Sequence, residues 1–205
     1  MAHQDKSIME AGDRGARGIR LMCCVAAGTL IGLGAARPAK AELPSSFAPD
    51  AIYVQAGGAK GTQSLAVGLS WDWDARWTLG PGELRPYIEA TLSQWRYDAP
   101  TPGDKDHLTQ LAMTPVLRWR ANGGASPWFV EAGVGLSFTS SLYHSSDKQF
   151  STSFNFGSHL GVGRNFGARQ EHELVLRVEH FSNAGIKHPN PGENFAQLRY
   201  TYRFE

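Results

Sequence analysis

Alternation of large apolar side chains with small or polar ones is the feature that most constrains this chain. Between residues 64 and 74, every second side chain is large and apolar, and those between are small or polar. Side chains two apart on a β-strand point to the same face, so this period is typical of a strand with one apolar face. The period recurs along the chain, interrupted by turn signals such as Asn122-Gly123-Gly124. It predicts eight strands, at residues 51–57, 64–74, 83–97, 107–121, 128–139, 150–166, 172–183 and 194–205.

Charged side chains occupy the face opposite the apolar one on several of these strands. Their positions are Arg118, Arg120, Glu131, Arg177, Glu179, Arg199 and Arg203. In a soluble periplasmic β-sandwich or a lipocalin-like barrel, which are the alternatives, these charged side chains on four strands would crowd a dry core at high cost. A barrel in an outer membrane instead turns its apolar face to lipid and its polar face to a narrow lumen. An eight-stranded barrel has an interior filled by side chains, so we expect salt-bridge networks there rather than a channel.

Aromatic residues at the strand ends favour the same interpretation, because membrane barrels carry aromatic girdles at both interfaces. These residues are Trp71, Trp73, Trp119, Trp128, Tyr200, Tyr202 and Phe204. The predicted fold class is therefore all-β, an eight-stranded antiparallel outer-membrane β-barrel. Such a barrel has no open sheet edge and satisfies its backbone groups internally.

The N-terminal part is typical of a targeting segment. Three arginines between positions 14 and 20 precede an apolar run at 21–34, and Ala39-Lys40-Ala41 follows. This pattern predicts a secretory signal peptide at residues 1–41, cleaved after Ala41, and a barrel domain at 42–205. Cys23 and Cys24 belong to the apolar run, so the predicted mature part has no cysteine for a disulfide.

Charge and histidine spacing indicate which partners to expect. The chain has 20 Lys and Arg against 19 Asp and Glu, which offers no argument for a nucleic-acid partner. Histidines other than His180 are scattered without the spacing of metal ligands, so we expect no metal and no cofactor.

A histidine and a serine share a face near the end of the seventh predicted strand. Leu174, Leu176 and Val178 lead along one face to His180 and Ser182. A base beside a hydroxyl is what an activated serine nucleophile requires, although the stretch also fits a strand end with turn-forming residues. Counting strands from a periplasmic N-terminus puts this strand end at the outer rim, with both side chains towards lipid.

The segment His180-Phe181-Ser182-Asn183-Ala184-Gly185, with Asn190 and Glu193 downstream, resembles the lipid A 3-O-deacylases of the PagL type. The resemblance implies an outer-membrane serine esterase that removes the 3-O-linked acyl chain of lipid A in lipopolysaccharide, with its site near the outer leaflet. Its partners would be lipopolysaccharide and outer-membrane lipid, and a homodimer is compatible with it.

The resemblance also implies residue roles. Ser182 would be the nucleophile, His180 the base and Glu193 the acid that orients the base. Asn190 and the backbone N–H of Gly185 match positions expected to form the oxyanion hole, and Asn183 matches a supporting position. Lys187 and His188 are weaker candidates for contact with lipid A phosphates.

Two carboxylates compete for the role of the acid. Pleating turns Glu179 towards the lumen, where Arg177 and Arg199 are potential partners. Glu193 stands at the start of the returning strand, and a hairpin brings the two strand ends together, so we expect Glu193 to approach the imidazole of His180.

Three other functions stay open at this point. A non-catalytic barrel with a structural or adhesin-like role would use the stretch at 180–193 only as a turn. A palmitoyltransferase-like barrel would place an acyl pocket inside the lumen, which the arginine-rich inner face disfavours. The third is a soluble periplasmic esterase.

Overall fold

A computed structural model describes residues 48–204 of the 205-residue chain. The predicted signal peptide at 1–41 lies outside these residues. The strands are β1 (Ala51–Ala59), β2 (Thr62–Asp72), β3 (Trp77–Leu79), β4 (Gly82–Asp98), β5 (Lys105–Ala121), β6 (Trp128–Thr139), β7 (Phe154–Phe166), β8 (His172–Ser182) and β9 (Glu193–Arg203). A single 3₁₀ turn, Asn122–Gly124, links β5 to β6 in this part of the chain.

Eight of these strands close into one antiparallel barrel. Long strands that follow each other in the chain are neighbours in the sheet, and β2 pairs directly with β4. β1 pairs with β9 and closes the barrel, from Ala51 opposite Arg203 to Gly58 opposite Ala196. The three-residue β3 only extends the hairpin at the start of β4. The predicted eight-stranded antiparallel barrel is therefore confirmed, and its closure leaves no long strand with an open edge.

The two faces of the barrel are distributed as the alternation predicts. Apolar side chains on the outside are widely exposed, for example Leu160 at 69% and Leu65 at 66%, whereas their strand neighbours are buried in the lumen. This apolar exterior is suited to lipid. Within residues 48–204 there is no helix whose length and hydropathy would let it cross a membrane.

A network of ion pairs fills the middle of the lumen. The Arg177 guanidinium, fully buried, donates to Glu131 at 2.8 Å and to Glu89 at 3.0 Å. Arg199 also donates to Glu89, and Arg118 bridges Glu131 to another buried carboxylate, Glu173. The predicted salt-bridge networks of the lumen are confirmed, and they fill the interior with paired charges.

The loops at the two ends of the barrel differ in length. At one end β1–β2, β4–β5, β6–β7 and β8–β9 are joined by residues 60–61, 99–104, 140–153 and 183–192; we call this the long-loop end. Short periplasmic turns and longer extracellular loops are typical of outer-membrane barrels, so we expect the long-loop end to face outwards.

An aromatic cluster closes the lumen at the long-loop end. We call it the aromatic plug, and its members are Trp95, Tyr97, Leu108, Tyr143, Phe150, Phe181 and Phe195. The ring centroids of Trp95 and Phe195 are 4.6 Å apart, and those of Tyr143 and Phe150 are 5.0 Å apart. Phe150 was expected to begin the sixth strand, but it lies in the β6–β7 loop, because that loop turns inwards to bury it in the plug.

Candidate active site

His180 and Ser182 lie on the outer face of the barrel, among the last three residues of β8. Both side chains are partly exposed, and the residues that alternate with them, Glu179, Phe181 and Asn183, are buried. Two residues on a strand span about 6.7 Å, a distance that an imidazole can bridge to a hydroxyl. The structure therefore brings the predicted base and nucleophile to one face, at the long-loop end.

An asparagine holds the imidazole. His180 Nδ1 lies 2.8 Å from Asn194 Oδ1, and the two residues are directly opposite each other in the pairing of β8 with β9. A carboxamide oxygen only accepts hydrogen bonds, so this contact requires a proton on Nδ1, and in a neutral imidazole Nε2 is then the nitrogen with the free lone pair. This is the tautomer that a general base at Nε2 requires.

Glu193 is not brought to His180. In the register, Glu193 is opposite Phe181, and directly opposed residues share a face, so its carboxylate points into the lumen. It accepts hydrogen bonds from Tyr143 Oη at 2.9 Å and from Lys148 Nζ at 2.7 Å. The approach expected for Glu193 is thus corrected by the same pleating argument that excluded Glu179.

Glu179 does lie in the lumen, as predicted, but without the expected partners. Arg177 and Arg199 form their ion pairs with Glu89 and Glu131, and among residues 48–204 neither has a salt bridge with Glu179. Arg177 and Arg199 are therefore engaged with carboxylates from β4 and β6.

The loop after Ser182 is organised by Asn183. Its Nδ2 donates to Lys187 O at 2.8 Å, and its Oδ1 accepts from the N–H of Gly185 at 3.0 Å. The N–H of Asn183 donates to Asn190 Oδ1 at 3.0 Å. Asn190 thus lies beside the peptide that follows Ser182. The N–H of Gly185 is already hydrogen-bonded to the side chain of Asn183. Lys187 and His188 are exposed on the same loop.

Gly192 borders the imidazole on its other side. A Cβ at this position would lie 2.5 Å from His180 Cε1 and 3.2 Å from Nε2, and the residue has a φ of +64°. The backbone therefore approaches the ring so closely that a side chain would displace it.

The sequence analysis assigns no role to Asn194 or Gly192, although a sequence signal exists for Asn194. Asn194 has the same parity as Ala196, Leu198 and Tyr200, which is the lipid-facing set of β9 and the set that shares a face with His180. No local pattern identifies Gly192, because its role depends on how the β8–β9 loop returns to the ring.

Within residues 48–204 no group of three or more His, Cys, Asp or Glu side chains has an arrangement that would hold a metal ion.

If His180 is the base that the resemblance implies, Gly192→Ala should lower ester hydrolysis by roughly 10²-fold, because a misplacement of the imidazole by about 1 Å is enough for a loss of that size. Gly80→Ala is a matched control: Gly80 has a φ of +58°, but open space surrounds the position of its Cβ. Ester hydrolysis and folded fraction in detergent should be measured for both. If the two variants lose the same activity, backbone strain and not the contact with His180 is responsible.

Comparison with known proteins identifies the family of this chain. The family model described as Lipid A 3-O-deacylase (PagL) matches residues 63–203. The Lipid A deacylase PagL of Bordetella bronchiseptica is 38% identical over 122 residues, which are 60% of this chain and 63% of that protein. The protein of the same name from Pseudomonas aeruginosa is 33% identical over 146 residues, 70% of this chain and 80% of that protein.

A solved structure has the same fold. It is titled the crystal structure of the outer membrane enzyme PagL, and it superposes with a TM-score of 0.64 at 27% identity. The match covers 75% of this chain and 99% of that one. Together with the apolar exterior, this likeness puts the barrel in the outer membrane. Since the family model spans more than half of the chain, this protein belongs to the PagL family.

Proposed function

We propose that this barrel is a lipid A deacylase that hydrolyses the 3-O-linked acyl ester of lipid A by a serine esterase mechanism. The observation that carries the proposal is the site at the end of β8. There, His180 and Ser182 share the lipid-facing surface, and Asn194 holds Nδ1 of the imidazole at 2.8 Å. Both named relatives are lipid A deacylases, which supports the same substrate for this chain.

In the proposed mechanism, His180 Nε2 removes the proton of Ser182 Oγ as that oxygen attacks the ester carbonyl. The tetrahedral intermediate collapses to an acyl-serine, and the imidazolium returns its proton to the departing 3-hydroxyl oxygen of the sugar. A water molecule, deprotonated by the same imidazole, then releases the fatty acid. Asn194 Oδ1 keeps the ring in the required tautomer and orientation throughout. An asparagine in this position, as in Cys-His-Asn proteases, orients the base without supplying a negative charge.

Asn190 is the residue that we assign to the oxyanion. Its Oδ1 accepts from the N–H of Asn183, so its carboxamide is fixed beside Ser182, and its Nδ2 stays available as a donor among the described residues. A preorganised donor of this kind contributes about 3 kcal/mol to transition-state stabilisation. The N–H of Gly185 is held by Asn183 Oδ1, so we assign Gly185 and Asn183 to maintaining the loop.

The route of the substrate follows from the face on which the site lies. The aromatic plug fills the lumen, whereas Ser182 is reached from the outside of the barrel at the long-loop end. A lipid in the outer leaflet could present its ester there without leaving the membrane. Lys187 and His188, exposed on the adjacent loop, are suited to contact the phosphates of its headgroup.

Mass spectrometry of lipid A from cells that express the protein tests the proposal. We expect a species that has lost one 3-hydroxyacyl chain from the 3-position, and fragmentation identifies that position. Cells that express Ser182→Ala serve as the control. An unchanged lipid A profile from a barrel that is folded in the outer membrane would contradict the proposed function, and loss of a different chain would contradict the 3-O specificity.

Variants of Asn194 distinguish this mechanism from one in which Glu193 orients the base. Asn194→Ala should lower kcat by roughly 10²-fold, because the imidazole loses the acceptor that orients it. Asn194→Asp should retain activity, since a carboxylate accepts the same Nδ1–H and also stabilises the imidazolium. The measurement is kcat in detergent with solubilised lipopolysaccharide. Full activity of Asn194→Ala would remove Asn194 from the mechanism.

A further inference from the structure

The β6–β7 loop, residues 140–153, folds back into the mouth of the barrel. Tyr143 and Phe150 are buried, with exposures of 0% and 2%, and they belong to the aromatic plug. The N–H of Phe150 donates to Tyr143 O at 2.8 Å, and the rings of Tyr143 and Trp95 are in edge contact at 5.6 Å. The loop is thus anchored in the packed interior on both sides of its tip, and Ser146 and Asp147 at the tip are exposed.

The first part of the loop is hydrogen-bonded to Glu193, the first residue of β9. The carboxylate, 2% exposed, receives hydrogen bonds from Tyr143 Oη and Lys148 Nζ, and its Oε1 also accepts from the N–H of Asn194 at 3.0 Å. Burial raises the pKa of Tyr143 to about 12, so its phenol stays protonated and donates. Thr62 at the start of β2 lies 2.7 Å from the same phenol oxygen, so a second strand also contacts the phenol.

The last part of the loop is hydrogen-bonded to Asn183, the residue that follows β8. Its Nδ2 lies 3.0 Å from Ser151 Oγ and 3.2 Å from Thr152 Oγ1. The residue as a whole is 1% exposed. Ser151 Oγ in turn donates to Lys187 O at 2.8 Å, which ties the two loops together. The loop therefore contacts both strand ends that carry the proposed catalytic residues.

Pleating connects these contacts to the catalytic face. Glu193 points inwards and its neighbour Asn194 points outwards to His180, and Asn183 points inwards next to outward-facing Ser182. The chain runs from Ser182 to Glu193 through the loop 183–192, and the pairing of β8 with β9 ends at this point with Phe181 opposite Glu193. Fixing the inward residues thus fixes the outward ones, one residue away.

We propose that the β6–β7 loop is a positioning clamp, in which Glu193, held by Lys148 and Tyr143, keeps Asn194 in register with His180. This inference rests on the proposed function of the site. It makes Glu193, Lys148 and Tyr143 positioning residues that touch neither the substrate nor the reacting atoms. Asn183, held by Ser151 and Thr152, does the same for Ser182.

Two conservative variants test the clamp. Tyr143→Phe keeps the ring in the plug but removes the donor to Glu193, and Lys148→Met keeps the stem but removes the cation. Each should lower kcat by between about 10-fold and 100-fold with little change in KM, because the substrate still binds the same surface. Lys148→Arg should recover most of the loss. Lys60→Met is the matched control, since Lys60 pairs with Asp147 of the same loop at 3.2 Å but does not touch Glu193.

A second readout does not depend on activity. In protein labelled with ¹⁵N-histidine in detergent, the Nδ1–H signal of His180, assigned with His180→Gln, should report the hydrogen bond to Asn194. We expect this signal to weaken or shift in Tyr143→Phe and Lys148→Met and to be unchanged in Lys60→Met.

The outcomes separate the clamp from the deacylase proposal. A normal kcat and a normal His180 signal in both variants would overturn the clamp, and so would a loss of folded barrel as their only effect. If the wild-type protein releases no acyl chain but its His180 signal responds as expected, the proposed function fails while the positioning role of the loop stands.

Discussion

Ser182→Ala and His180→Ala should each lower deacylation by roughly 10⁶-fold, the loss seen when the nucleophile or the base of a serine protease is removed. Both side chains lie on the outer face at the end of β8 and fill no part of the lumen, so the barrel should still assemble. The measurement is the release of 3-hydroxy fatty acid from solubilised lipopolysaccharide, with heat-modifiable gel mobility as the test of folding.

Ser153→Ala is the control for this loss. Ser153 is exposed at the long-loop end, just before β7, and its side chain has no place in the proposed mechanism. It should retain full activity. A Ser182→Ala or His180→Ala variant that is folded and fully active would exclude that residue from catalysis.

Arg177→Met should cause the largest loss of stability in the lumen, about 3–5 kcal/mol in the free energy of unfolding. The guanidinium is fully buried and pairs with Glu89 and Glu131, so its removal leaves buried negative charge without sufficient compensation. Urea unfolding of the refolded barrel in lipid vesicles measures the effect. Arg76→Met, at an exposed position, should change the stability by less than about 0.5 kcal/mol.

A double variant distinguishes lost charge from lost packing. In Arg177→Met with Glu131→Gln, Arg118 still pairs with Glu173 and Arg199 still pairs with Glu89, so the lumen is again close to balanced. The double variant should therefore be more stable than Arg177→Met alone. If it is less stable, the arginine contributes mainly by filling space, and the electrostatic explanation fails.

Much of the barrel was predictable because strand geometry is local. The period of two is a property of the extended backbone, so the sequence alone assigned Leu65 to the lipid face, Arg177 to the lumen, and His180 and Ser182 to one outward surface. The same parity rule, applied to β9, would have put Asn194 outside and Glu193 inside. Proximity in the hairpin alone favours Glu193, but it takes no account of the face on which the side chain lies.

Other features depend on contacts between segments that are distant in the chain, and the alternation contains no information on these. The β8–β9 register puts Asn194 opposite His180, and a shift by one residue would have put Glu193 there instead. The return of the loop brings Gly192 against the imidazole, and the inward fold of residues 140–153 joins Lys148 and Tyr143 to Glu193. Side-chain period is set within a strand by covalent geometry, whereas register and loop path are set by the packing of the whole lumen, which exists only once the barrel has closed.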